Sequence, residues 1–209
     1  MIKNLIFDFG GVIGDISRTS AVKAFEKVGV ANADDLLDQY HQNGIFLEVE
    51  DGSISAEEFR AKLSALTGKE ITMEEAKEAW MGFFTYVPVY RLEYLEKLRK
   101  QGYNLYILSN TNPFIMSWAR SEDFSELGKP LDAYFDKLYL SYQLDVVKPH
   151  KEIFDILIND GINPAESVFI DDGTANVEMG KQLGFFTLQP INGTDWTGDL
   201  DRLLQEISR

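Results

Sequence analysis

Short, almost wholly apolar runs recur along this chain with helical patterns between them, and each run stops at a polar or glycine residue. The clearest are Leu5-Ile6-Phe7, Leu105-Tyr106-Ile107-Leu108 and Val168-Phe169-Ile170. A strand that is apolar on both faces must be covered on both faces, which is the condition of a parallel sheet wrapped by helices. We read strands at Lys3 to Phe9, Asn104 to Leu108, Asp136 to Leu140, Val168 to Ile170 and Phe185 to Leu188. Helices are predicted over Val89 to Gln101, from Pro113, over Lys151 to Asn159 and over Ala175 to Leu183. A polar loop at 192–198 precedes a final short helix. Strands alternating with helices predict an α/β fold, a doubly wound parallel sheet of Rossmann-like form.

Residues 17–86 depart from this alternation, with helical patterns and no strong strand. Ala21, Ala24, Phe25 and Val28 share one helical face, Leu36, Leu37 and Tyr40 begin another, and Phe59, Leu63 and Leu66 a third. Ser55 followed by Glu58, and Thr72 followed by Glu75, have the spacing of capping boxes. Pro88 ends the stretch. We read 17–86 as a small helical-bundle cap inserted after the first strand, with 1–16 and 87–209 forming the core. At 209 residues and 44% hydrophobic content the chain is long enough for such a core plus insertion.

A formal charge of −14 argues against nucleic acid and anionic membranes as partners. The absence of cysteine removes disulfides, thiolate metal sites and a cysteine nucleophile. The apolar start from Ile2 to Ile13 is interrupted by Lys3, Asn4 and Asp8 and lacks a small-residue cleavage pattern. No run approaches the ~18 apolar residues of a membrane span. A cytoplasmic protein, monomeric or weakly dimeric, is expected.

The polar residues ending the runs carry the chemistry. In a parallel sheet the carboxyl ends of the strands share one edge, so Asp8, Ser109-Asn110 and Asp171-Asp172 are expected to converge there. Lys148-Pro149 and Asn176 join them from neighbouring loops and helices. Asp8 is a candidate nucleophile, since a carboxylate can attack phosphorus and split a hydrolysis into two easier steps. Gly10 and Gly11 let the backbone approach a ligand. Adjacent carboxylates repel unless a cation compensates or one keeps a proton, and oxygen-only ligands favour Mg2+. Three carboxylates, Mg2+ and Lys148 sum to about zero before a phosphate arrives. Taken singly, each signature has a plainer reading: a capping Asp8, a helix entrance at Asp171-Asp172, an exposed Lys148, a turn at Ser109-Asn110.

Taken in order, Phe7-Asp8-Phe9-Gly10-Gly11-Val12, Leu108-Ser109-Asn110-Thr111, Lys148-Pro149 and Phe169-Ile170-Asp171-Asp172 with Asn176 resemble the four motifs of the haloacid dehalogenase-like hydrolase superfamily. The helical insertion is similar to the small cap of one of its branches, and the first motif to that of bacterial sugar-phosphate phosphatases of the α-glucose-1-phosphatase type. The resemblance implies an Mg2+-dependent phosphatase of small phosphorylated metabolites. Asp8 would be nucleophile and metal ligand, joined by the Gly10 carbonyl, by Asp172 directly and by Asp171 directly or through water. Ser109, Asn110 and Lys148, with the Phe9 and Gly10 backbone, would hold the phosphoryl group, and Asn176 would support the loop.

One position departs from the pattern. Most family phosphatases carry a second Asp two residues after the nucleophile as general acid and base, and here that residue is Gly10. Asp15 is placed either to substitute for it or to cap the first cap helix. A metal-independent 2-haloacid dehalogenase and a silent phosphate- or partner-binding protein therefore stand as alternatives. Arg18, Tyr40, His41, Glu48 and Glu50 are cap candidates for facing the cleft that the sequence does not orient, with Tyr40 better suited to the core.

Overall fold

The first apolar run takes the middle of the sheet, where both of its faces are covered. The computed structural model describes residues 1–38 and 42–208. Along the chain the strands are β1 (Asn4–Phe7), β2 (Asp15–Ile16), β3 (Phe84–Tyr86), β4 (Asn104–Ser109), β5 (Lys137–Leu140), β6 (Ser167–Ile170) and β7 (Phe186–Leu188). Five of them form a parallel sheet in the order β5-β4-β1-β6-β7. Every residue of β1 and β6 is buried, so a single polar substitution there would strand an unpaired group in apolar surroundings.

Register decides where the chemistry sits. Phe7 is level with Ile107 of β4 and Ile170 of β6. The next residues, Asp8, Leu108-Ser109 and Asp171, therefore emerge together at one sheet edge. The Asp8 N–H donates to the Ile170 carbonyl at 2.8 Å, which carries the ladder to the rim. The helices α6 (Val89–Lys100), α7 (Pro113–Ala119), α8 (Ser141–Leu144), α9 (Lys151–Asn159), α10 (Thr174–Gln182) and α11 (Thr197–Ile207) accompany the later strands. α9 has the bounds read from sequence, while α11 begins at Thr197, inside the segment read as loop.

Among the described residues five helices lie between β2 and β3: α1 (Arg18–Val28), α2 (Ala33–Leu36), α3 (Ile45–Glu50), α4 (Ala56–Thr67) and α5 (Met73–Met81). Ser17 caps α1 by accepting from Ser20 N–H, and Gly29 ends it in a left-handed conformation. Both expected capping boxes form, at Ser55/Glu58 and Thr72/Glu75. Phe25, Phe46, Phe59 and Trp80 meet at the centre with ring centroids 4.9–5.7 Å apart. Each such ring contributes about 1.5–3 kcal/mol on burial, which is what holds these short helices together. Phe59 also packs on Phe114 of α7 at 5.4 Å, tying the insert to the sheet layer.

The helical reading of the insert holds: the strand that occurs within 17–86, β3, pairs antiparallel with β2 and is too short to show a period. Three expectations fail in this region. The helix expected to begin at Leu36-Leu37 instead ends there, because Leu37 turns extended (φ −102°, ψ 119°). Tyr40, the third residue of that pattern, lies outside the described residues. Leu66 is exposed while Phe59 and Leu63 are buried, because α4 buries a narrower face than its apolar positions suggest. Asp15 neither reaches the sheet-edge cluster nor caps α1; it pairs at 2.7 Å with the buried Arg91 of α6. Among the described residues no helix is long and apolar enough to cross a membrane.

Candidate active site

At the carboxyl edge of the sheet, Asp8, Phe9, Gly10, Ser109, Asn110, Lys148, Asp172 and Asn176 line one cavity, and Asp171 lies behind it, fully buried. Residues from five separate segments thus meet, three at the ends of strands β1, β4 and β6 and the other two, Lys148 and Asn176, on a loop and on α10. Lys148 is 1% exposed, and its Nζ sits 3.0 Å from Asp8 Oδ1 and 2.5 Å from Asp171 Oδ2. An ammonium so buried survives only because two carboxylates face it. Burial works to lower its pKa, but Asp171 and Asp8 outweigh burial and hold it above the usual lysine value.

The loop carrying Lys148 is clamped by Asn110. Asn110 Nδ2 donates to the Lys148 carbonyl at 3.0 Å, and its Oδ1 accepts from the Lys148 N–H at 2.7 Å. The Asn110 side chain therefore sets the lysine's position, and the Lys148-Pro149 peptide that follows is cis. Asp171 is saturated in a similar way. It accepts from Lys148 Nζ, from Gly173 N–H at 2.8 Å and from Asn176 Nδ2 at 3.0 and 3.2 Å. Phe9 N–H is turned onto Asp8 Oδ1 at 2.7 Å, and the buried Ser109 faces the cavity.

Asp172 behaves differently. Its Oδ2 is buried without a hydrogen-bond partner. Oxygens of Asp8, Asp171 and Asp172 all lie within 4.8 Å of one another. Burial, followed by the charges of Asp8 and Asp171, pushes Asp172 up to about 7. Asp8 is pushed up to about 6 by burial, against the pull of Lys148. Carboxylates this close ionise together only with a cation among them. The backbone at Gly11 (φ +79°) makes room: a Cβ there would stand 2.2 Å from Asp172 Oδ2. An orphaned oxygen, clustered carboxylates and oxygen-only donors fit a hard divalent cation such as Mg2+.

Among the described cap residues named from sequence, only Glu50 lines the cavity; it is 6% exposed and ends α3. Arg18 is held away by the Leu37 carbonyl and Asp34, and Glu48 by Lys62. His41, like Tyr40, lies outside the described residues. Thr111, the last residue of the second motif, also lines the cavity, and Ile16, Gln42, Phe83, Phe84 and Ile115 complete the walls without having been foreseen. Their type gave no signal, since their place depends on how the insert docks. Burial raises Glu50 to about 8, even though the Asn112 side-chain amide lies near enough to favour its ionised form. The Asn112 Nδ2 closes no hydrogen bond of good geometry and is left without a partner, while its Oδ1 accepts from the Phe114 and Ile115 N–H groups.

The haloacid dehalogenase-like hydrolase pattern matches residues 2–184. The chain is 58% identical over 205 residues to a D-ribitol-5-phosphate phosphatase of Bacteroides thetaiotaomicron, covering 98% of this chain and 99% of that one. A HAD-like family hydrolase from Porphyromonas gingivalis superposes with a TM-score of 0.93 at 41% identity, over 98% of each chain. A HAD family enzyme from B. thetaiotaomicron, solved with magnesium and inorganic phosphate, superposes at 0.85 with 36% identity, over 95% of this chain and 98% of that one. Motif order, sheet topology and these likenesses agree, and the chain belongs to the haloacid dehalogenase-like hydrolase family.

Proposed function

We propose that this protein is an Mg2+-dependent phosphatase of small phosphorylated metabolites, with sugar and sugar-alcohol phosphates as its substrates and ribitol 5-phosphate the first to test. One observation carries the reading: three carboxylates within 4.8 Å of one another, one with an unpartnered buried oxygen, beside a single buried lysine. That arrangement suits a divalent cation and a phosphate, and packing alone gives no reason for it. The relative at 58% identity supports the sugar-alcohol class, and the magnesium and phosphate complex of a relative at 36% supports the metal.

Asp8, Asp172 and the Gly10 carbonyl would hold Mg2+, with Asp171 completing the acidic cluster. The ion supplies charge neutralisation for the phosphoryl oxygens and for Asp8. Asp8 attacks phosphorus in line with the leaving oxygen and becomes an aspartyl-phosphate, which water then hydrolyses. Lys148 balances charge on Asp8 and on a phosphoryl oxygen, while Asp171 and Asn110 keep its ammonium and backbone in place. Ser109 and the backbone after it hold the phosphoryl group, and Asn176 steadies the Asp171 loop. Residues 17–86 act as a cap that encloses the substrate from above. A metal-free dehalogenase would have no use for the orphaned Asp172 oxygen.

The test is phosphate release from ribitol 5-phosphate and a panel of sugar phosphates, with Mg2+ and after chelation by EDTA. Release is expected with the metal and should vanish without it. Failure to release phosphate from any ester at millimolar Mg2+, or undiminished release in EDTA, overturns the reading.

A further inference from the structure

We propose that Glu50, carried by the helical insert, is the general acid and base of the reaction and performs the proton transfers for which position 10 has no side chain. This rests on the phosphatase reading. The place beside Gly10 is already filled: a Cβ there would stand 3.2 Å from Ile16 Cγ2 and 3.9 Å from Phe84 Cζ. The proton donor must come from elsewhere in the cavity. Among the described residues its ionisable lining groups are Asp8, Lys148, Asp172 and Glu50. Asp8 and Lys148 pair with each other, and Asp172 belongs to the acidic cluster. Glu50 alone is uncommitted.

Its position suits the role. In an in-line displacement the leaving oxygen departs on the side of phosphorus away from the nucleophile. Asp8 lies at the sheet edge, so that side faces the insert, where α3 ends with Glu50. The end of α3 is fixed against the sheet layer by Gly52 (φ +80°), whose Cβ would stand 2.7 Å from the Tyr142 carbonyl oxygen. No larger residue permits that approach, and it lies two residues from Glu50. Burial keeps Glu50 protonated near neutral pH, as a general acid must be. Once it gives up the proton, the unpartnered Asn112 Nδ2 beside it is available to donate to the carboxylate.

The steps balance. In the first, Asp8 bonds to phosphorus, the phosphorus–oxygen bond to the sugar alcohol breaks, and the Glu50 proton passes to the departing oxygen to give a neutral alcohol. In the second, the Glu50 carboxylate takes a proton from water as its oxygen bonds to phosphorus. The bond to Asp8 then breaks, releasing inorganic phosphate and restoring both carboxyl groups.

The experiment compares Glu50→Gln with the unaltered enzyme on ribitol 5-phosphate and on p-nitrophenyl phosphate, whose leaving group needs no proton. The expected loss on the alkyl ester is about 10²–10⁴-fold in kcat/KM. With the aryl ester, the first step should stay within about threefold, so nitrophenolate appears as a burst followed by slow turnover. Equal losses on both esters, or no loss on the alkyl ester, overturn the proposal. A measurement on the unaltered enzyme covers a variant that fails to fold. First-step rates across alkyl and aryl phosphates should depend weakly on leaving-group pKa, and a steep dependence refutes the role. If the unaltered enzyme hydrolyses no phosphate ester, the phosphatase reading has failed instead.

Discussion

Replacing Gly11 by Ala tests whether Asp172 holds the metal. Gly11 has φ +79°, and its added Cβ would lie 2.2 Å from Asp172 Oδ2 and 2.5 Å from its Cγ. Van der Waals contact requires the carboxylate to retreat by about 1 Å or more. The left-handed backbone adds about 1–2 kcal/mol for any residue with a Cβ. A chain of this length should therefore lose about 2–8 °C in Tm. Moving a ligand should cost at least the ~10–100-fold in metal affinity that losing a ligand's supporting contact costs. Gly68→Ala is the matched control: it has φ +67° and nothing within 4 Å of its added Cβ. Calorimetric titration of Mg2+ into both variants, with thermal melts in EDTA, separates the two effects. Both should lose the backbone contribution to stability, Gly11→Ala somewhat more because of its contact with Asp172, and only Gly11→Ala should lose Mg2+ affinity. Wild-type affinity in Gly11→Ala would show that the metal does not sit against Asp172.

Three other perturbations have definite signs. Lys148→Met removes the cation between Asp8 and Asp171 and leaves two buried carboxylates facing each other; phosphate release should fall at least about 10³-fold, by steady-state assay. Glu50 has its pKa raised from 4.5 to about 8, so the folded state binds the proton more tightly and stability falls as pH rises through that window. Relative to Glu50→Gln, the unaltered protein should lose up to about 5 kcal/mol between pH 4.5 and 9, in urea titrations without metal. A constant difference between the two would sink that assignment. Arg91, 1% exposed, bonds Asp15 and the Thr194 carbonyl; Arg91→Met should destabilise by about 3–5 kcal/mol in the same titrations.

The parts of the fold legible in the sequence were those fixed by local order. The buried strands announced themselves as unbroken apolar runs, and the two capping boxes needed only a hydroxyl three residues before a glutamate. The convergence of Asp8, Ser109 and Asp172 followed from strand polarity, since parallel neighbours must end at one edge, and Lys148 joins them from a loop. What stayed hidden depends on distant packing. Asp15 finds its partner in Arg91, 76 positions away, and no local pattern marks that pairing. β2 and β3 are too short for a period and are defined by each other. Glu50 could be named as a cap residue but not oriented, because the docking of α3 through Gly52 turns it inward. Its burial beside Phe46 and Val49 on one short helix is the signal that the sequence alone left unread.

The packing around Gly10 also bears on engineering. Ile16 and Phe84 belong to the two strands where the chain leaves the sheet layer and returns to it. Grafting the missing aspartate at position 10 would press its Cβ on Ile16 at that doorway, 3.2 Å from Cγ2, so the isoleucine must give by a few tenths of an ångström as the chemistry changes. A designer seeking the usual two-aspartate catalyst should relieve residue 16 in the same step and can leave Phe84, at 3.9 Å, in place.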